Sequence, residues 1–341
     1  MIVLIISIII SFFTTFIITP FLIRFLYFAG IVSFDLNKKG KPKLPASGGI
    51  CVASGILAGI LVYVGLQTFI YGYLDISLSL LAVVSSILIV TFTGLLDDLN
   101  VKSKAVPTKD GMNIKIGFPQ WLKPLMTLPA AVPLMVISAG DTTMYLPFIG
   151  NINFGILYPL LLIPIGVVGV SNMVNMLGGF NGLEAGMGLV YTFGLGLYAF
   201  INNIQISAII FFSAFASLLA FLKYNWYPAR ILPGDSLTYL LGSAVVVGII
   251  IGNMEKAGII VMIPFLIQGA LKFYSHIKLG AYASDLGVLQ RDGTIKSRYG
   301  KKIYSWTHLV MNMGKLNERQ IALILIFVQV LFCTIPFLGI V

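Results

Sequence analysis

Charge is what this chain most lacks: 10% of its 341 residues are Asp, Glu, Lys or Arg, against about 25% in an ordinary soluble protein. With 58% hydrophobic residues and a mean hydropathy of +0.98, a soluble globular fold is excluded and an all-α polytopic membrane protein is indicated. Cysteine is equally scarce. Cys51 and Cys333 lie far apart inside apolar runs, where a thiol behaves as a small hydrophobe, so neither has a redox or metal role. Histidine is limited to His276 and His308; a lone interfacial histidine is more often structural than reactive. No Walker loop, Rossmann fingerprint, Cys/His zinc spacing or nucleophile elbow appears. The first apolar run lacks a basic leader and is too long for a cleavable signal, so it reads as a membrane helix.

Apolar length is what the chain has in abundance. A spanning helix needs about 20 mostly apolar residues, and ten stretches qualify as candidates: 2–27, 47–67, 77–96, 122–138, 154–173, 183–203, 206–222, 236–252, 257–275 and 320–340. The whole chain then forms one transmembrane domain, with loops at about 28–46, 97–121, 174–182, 223–235 and 276–319. These loops and the helix ends that flank them (Arg24, Lys123 and Lys272) collect 21 of the 22 basic residues, including Lys102, Lys104 and Lys109, and only Lys256 falls on the other face. Cytoplasmic loops are the basic ones, so both termini are expected outside and an active site on the cytoplasmic face. The net charge of +10 belongs to that face. It suits anionic lipid headgroups or an anionic substrate, and nothing in the pattern suggests nucleic acid.

Nine of the twelve carboxylates fall on the same face. A transporter would place polar groups at the bilayer midplane, whereas most of these helices carry no ionisable residue near their middle. Between the fifth and sixth stretches lies Asn172-Met173-Val174-Asn175-Met176-Leu177-Gly178-Gly179-Phe180-Asn181-Gly182-Leu183-Glu184. Carboxamides at that depth need partners or a water-filled cavity, so the stretch reads as the floor of a site. Asp97-Asp98 ends the third stretch, where paired carboxylates oppose the helix dipole and call for a lysine or a divalent cation; a solvated interfacial pair is the plainer alternative. Asp235 follows Pro233-Gly234 at the same depth, and could equally cap the next helix together with Ser236. Lys123 opens the fourth stretch, where a lysine and free backbone N–H groups can hold phosphate. The last loop is too long for a connector and reads as a functional lobe. Together these residues point to metal-assisted phosphoryl chemistry at one membrane face.

Gly94-Leu95-Leu96-Asp97-Asp98, Lys123, Asn175 through Gly186, Asn225-Trp226-Tyr227-Pro228, Gly234-Asp235 and Asn317-Glu318-Arg319 resemble the polyprenyl-phosphate N-acetylhexosamine-1-phosphate transferases, over nearly the whole chain. They are most similar to the branch that uses UDP-GlcNAc and dolichyl phosphate. The resemblance implies a Mg²⁺ ion, with Mn²⁺ as the alternative, held by Asn175 and Asp235. It implies that Lys123 holds the phosphates and that Asp97 and Asp98 lie at the lipid phosphate. It places Asn181, Gly178 and Gly179 at the uracil, Leu232 over its face, and Leu36 and Asn37 along the nucleotide. Where the family carries a basic, histidine-containing triplet, this chain has Tyr282-Ala283-Ser284, and Lys278, Arg291, Arg298 or His276 are the candidate substitutes. The implied partners are UDP-GlcNAc and a dolichyl or other polyprenyl phosphate, with another UDP-N-acetylhexosamine or undecaprenyl phosphate as the runner-up and a sugar transporter as the rival class. The family leaves room for a homodimer. The implied location is a prokaryotic, archaeal cell membrane, or the endoplasmic reticulum for a eukaryotic host.

Overall fold

The structure is a computed structural model that describes residues 1–72, 75–100, 105–107, 113–115, 117–146 and 150–339; Lys102, Lys104 and Lys109 of the second basic loop lie outside this set. About 69% of the chain is helical. The helices run in order α1 (Ile2–Phe28), α2 (Gly49–Phe69), α3 (Asp75–Asn100), α4 (Leu122–Thr127), α5 (Val132–Val136), α6 (Ile163–Val174), α7 (Leu183–Ile201), α8 (Gln205–Asn225), α9 (Gly234–Gly252), α10 (Glu255–Leu279), α11 (Trp306–Met311) and α12 (Glu318–Thr334). Among the described residues, eight helices are long and apolar enough to cross a membrane, and two shorter apolar segments span Leu122–Val136 and Tyr158–Val174. These ten segments follow the stretches read from the sequence.

The two short segments depart from the expected continuous helices for a backbone reason. Pro124, Pro129 and Pro133 each remove an N–H donor from the fourth segment, which breaks into α4, a 3-10 turn at Leu128–Ala131, and α5. The fifth was expected from residue 154, but Gly150–Asn153 pair with Thr143–Leu146 as a hairpin. Helix then starts only at Tyr158–Leu162, as one wide π turn carrying Pro159.

Helix α9 is the axis of the bundle. Its run from Ser236 to Ile250 is buried throughout, because α2, α3, α6 and α8 pack around it. On α1, Ser7, Ser11, Thr15 and Thr19 recur every four residues and are all fully buried, while the opposite face presents Ile5, Ile9, Phe13 and Ile17. In hydrocarbon the polar stripe must face protein, and three of these hydroxyls donate to the carbonyl one turn earlier. Helix α1 leads into the site described below and α12 leads out of it, which puts both chain ends at the far end of the bundle.

The long last loop is a folded lobe. It carries a short hairpin pairing Val288–Leu289 with Ile295–Lys296, followed by α11. A buried polar network clamps it to α10: Lys272 lies 2.7 Å from Asp285 and donates to the Ala283 carbonyl at 2.6 Å. Gln268 donates to Met176 and accepts from Trp306 N–H. His308, expected to be structural, is fully buried here. Its Nδ1 accepts from Tyr304 N–H, so Nε2 donates to the Ser284 carbonyl, and burial holds its pKa below the usual histidine value. Removing one partner of a buried ion pair typically costs about 3–5 kcal/mol. Lys272→Met is therefore expected to lower the thermal unfolding midpoint in detergent, and Asp285→Asn added to it should restore part of the loss. Equal midpoints for the wild type and Lys272→Met would mean that the clamp adds no stability.

Candidate active site

All five of the loops read from the sequence line one cleft of about 1210 Å³. At its base α3 and α9 each bring one carboxylate to a single lysine from α4. Lys123 Nζ, on the first turn of α4, lies 2.8 Å from Asp97 Oδ2 and 3.0 Å from Asp235 Oδ2. Asp97 has no exposed surface; its other oxygen accepts from Phe118 N–H, and the Tyr239 hydroxyl is 3.3 Å away. Asp98 points the other way and accepts from the backbone N–H groups of Asp235 at 2.8 Å and Ser236 at 3.2 Å. It thus satisfies two of the orphan donors at the start of α9, where the helix dipole favours negative charge.

Two glycines make this meeting possible. Gly94, one turn before Asp97, packs against the backbone of Asp235 and Ser236, where a Cβ would collide. Gly234 has φ +71°, and a Cβ there would run into the Asp98 carboxylate and Ser47 N–H. Asn172 braces the lysine from behind, donating to the Thr127 hydroxyl, one turn beyond Lys123, at 3.0 Å.

Asn175 caps the end of α6, and its Oδ1 accepts from the Thr238 hydroxyl at 2.7 Å. Thr238 is one turn along α9 from Asp235, so this bond draws the carboxamide oxygen toward the carboxylate on the cleft wall. Thr238 escaped the sequence reading, although its i+3 spacing from Asp235 was the available signal. The next turn of chain is held by contacts from α7, α12 and two other loops. Glu184 accepts from Gly179 N–H at 2.7 Å, and Asn37 donates to the Gly179 carbonyl at 2.8 Å. Asn181 N–H donates to Glu318, its side-chain NH₂ to Asp35 at 3.1 Å, and its side-chain oxygen accepts from Ala229 N–H at 3.0 Å.

Most of the residues singled out from the sequence converge here. Asp98, Lys123, Asn175, Gly178, Gly179, Asn181, Leu232, Asp235 and Leu36 line the cleft, and Asp97 lies directly behind Lys123. Asn37 is buried behind the glycines and does not line it. The side chain of Asn181 is turned into the protein, so a ligand at this turn meets mainly backbone and the Asn181 edge. Lys278, Arg291 and Arg298 do not line the cleft. Among the described residues its basic side chains are Lys123 and His276, the latter stacked 4.7 Å from the ring of Tyr282. Tyr282 therefore reaches the cleft, while Ala283 and Ser284 give their carbonyls to Lys272 and His308. Trp121, 72% exposed, and Phe118 form the apolar lip beside Lys123.

The chain is similar to known proteins over most of its length. Residues 80–253, which include Asp97, Asp98, Lys123, Asn175 and Asp235, match the family described as Glycosyl transferase family 4. A Saccharolobus solfataricus protein, provisionally named a UDP-N-acetylglucosamine–dolichyl-phosphate N-acetylglucosaminephosphotransferase, is 33% identical over 332 residues, 96% of this chain and 94% of the relative. The Dictyostelium discoideum protein of that name is 27% identical over 281 residues, 70% of this chain and 64% of the relative. A Bacillus subtilis protein provisionally named an undecaprenyl-phosphate N-acetylglucosaminyl 1-phosphate transferase is 27% identical over 275 residues, 79% of this chain and 69% of its own. Fold and likeness define a membrane-embedded phosphoglycosyl transferase. The chain belongs to glycosyl transferase family 4.

If Asp98 serves the start of α9, its loss should act on stability before chemistry. Asp98→Ala is expected to cost about 1–2 kcal/mol of stability, the range for losing a capping side chain, and Asp98→Asn less, because one oxygen remains. Unfolding midpoints of the two variants and the wild type check this; an unchanged midpoint for Asp98→Ala would remove the capping role.

Proposed function

We propose that the chain transfers N-acetylglucosamine-1-phosphate from UDP-GlcNAc to a dolichyl-type polyprenyl phosphate, yielding lipid-diphospho-GlcNAc and UMP. One observation carries the reading: a single lysine bracketed by Asp97 and Asp235, beside Asn175, at the base of a large cleft. Asp97, Asp98 and Asp235 against Lys123 leave the base with a formal excess of two negative charges, and a phosphate acceptor and a diphosphate donor would add more. Such a site is competent only with a further cation.

The donor set fits Mg²⁺, with Mn²⁺ second. Asp235 and the Asn175 Oδ1 are hard oxygens, and among the described residues no trio of His, Cys, Asp or Glu forms a closed cage. That pattern suits an ion which keeps a few protein oxygens and completes its shell from substrate phosphates. When bound, such an ion neutralises charge on the diphosphate and the departing UMP. The lipid phosphate oxygen attacks the sugar-bearing β-phosphorus, the bond from that phosphorus to the bridging oxygen breaks, and UMP leaves with the electron pair. Lys123 stabilises charge spread over the phosphoryl oxygens. Asp97 is held by Lys123, Phe118 N–H and the Tyr239 hydroxyl, and Asp98 by the start of α9. With both carboxylates so engaged, direct attack by the lipid is favoured over an aspartyl intermediate. The basic loops face the cytoplasm on this reading, and an archaeal cell membrane fits the Saccharolobus relative.

Purified protein in detergent is expected to release UMP from UDP-GlcNAc only when polyprenyl phosphate and Mg²⁺ are both present. Absence of UMP, together with movement of the donor across vesicle membranes, would replace the enzyme by a transporter. Lys123→Met should lower kcat by at least about 10²-fold, the usual loss on removing one transition-state donor, and wild-type kinetics would strip the lysine of its role. Asp235→Ala should be inactive at every Mg²⁺ concentration. Substantial turnover in Asp235→Ala would remove this residue from the ion site.

A further inference from the structure

Glu318 opens α12 and is 4% exposed. An acidic residue in a first helical turn usually serves its own helix dipole, but here that task is already filled. Asn317 accepts from Gln320 N–H and Gln320 reaches back to Asn317 N–H, a complete capping box. Glu318 instead spends both oxygens outside its helix. Oε1 accepts from Asn181 N–H at 2.8 Å, and Oε2 pairs with Lys38. Lys38 in turn lies 3.5 Å from Asp35, which accepts from the Asn181 side chain, and 4.1 Å over the ring of Tyr227. The fourth strand of the knot is Ala229, whose N–H meets the Asn181 side-chain oxygen.

Four distant segments, 35–38, 179–182, 227–229 and the start of α12, are thus tied together at Asn181. One side of this knot faces the cleft. Asp35, Leu36, Gly178, Gly179, Phe180 and Asn181 line the cleft, while neither Lys38 nor any residue of α12 does. With the Asn181 side chain consumed by the knot, the shape that this turn offers a ligand is its backbone, and that shape is set from behind.

We propose that Glu318, with Lys38, is a positioning residue for the nucleotide donor. It fixes the Gly178–Asn181 turn in the form that receives the nucleoside diphosphate, and it has no part in binding the lipid acceptor. The inference rests on the transferase reading above for the identity of the donor. A residue that acts on one substrate through a backbone turn should move the affinity for that substrate alone.

UDP is the direct probe, measured by calorimetric titration in detergent beside steady-state kinetics. Glu318→Ala is expected to raise the UDP Kd and the UDP-GlcNAc KM at least tenfold, with kcat and the polyprenyl phosphate KM within twofold of wild type. Glu318→Gln keeps an oxygen for Asn181 N–H and should recover the UDP Kd to within threefold. A wild-type UDP Kd in Glu318→Ala, equal losses for donor and acceptor, or no recovery in Glu318→Gln would each overturn the proposal. If Glu318→Ala does not fold, Lys38→Met carries the test: it is expected to weaken UDP at least threefold at unchanged acceptor KM, and unchanged UDP binding would overturn the proposal. A wild-type protein that binds UDP in the expected pattern yet releases no UMP would refute the transferase reading and leave the positioning role standing. Absence of UDP binding to the wild type would refute both.

Discussion

One ammonium group held between two carboxylates at the end of a helix bundle is the constraint on which the rest of this structure depends. Asp97, Lys123 and Asp235 come from three helices, and each charge is tolerable at that depth only because the others are there. The geometry reaches back into the bundle. Helix α3 can deliver Asp97 only where Gly94 lets it touch the start of α9, and α9 can begin there only because Asp98 accepts its first N–H groups. The buried axis of the fold and the base of the cleft are therefore one construction. Among the described residues nothing comparable exists at the far end of the bundle, where the polar contacts run to isolated pairs such as Tyr158 with Glu255 at 2.9 Å.

The same construction divides labour within the cleft. Its base carries excess negative charge and a single engaged lysine, suited to a cation shared with phosphates. The wall proposed to receive the donor, around Gly178 to Asn181, is built from backbone and held by Asn37, Glu184, Glu318 and Asp35. Its outer wall belongs to the last lobe, whose Lys272, Gln268 and Asp285 fasten it to α10 and leave Tyr282 and His276 facing inward. Charge chemistry, donor recognition and cover thus come from separate parts of the chain that meet at one membrane face.

Much of this was legible in the amino-acid sequence because a bilayer leaves so few choices. Apolar length marked the spans, and the polar residues that could not belong to hydrocarbon marked the site: Asp97, Asp98, Lys123, Asn175 and Asp235 stood out for that reason. What stayed hidden was direction. Asn181 and Asn37 lie in the right loops, but hydrogen bonds to segments more than a hundred residues away turn them into the protein. Lys278, Arg291 and Arg298 supply charge to the last loop, yet the fold of that lobe keeps them off the cleft and brings His276 and Tyr282 to it. Glu318 read as part of a family signature, and its reach across to Asn181 needed the packed structure. The broken fourth helix is written in three prolines, Pro124, Pro129 and Pro133, spaced through one span.

A density map of the protein with UDP-GlcNAc and Mg²⁺ bound is the most direct measurement of the central claim. The account expects the diphosphate between Lys123 and the Asn175–Asp235 pair, with the uridine against the turn from Gly178 to Asn181. A nucleotide seated elsewhere in the cleft, or at the far end of the bundle, would contradict it.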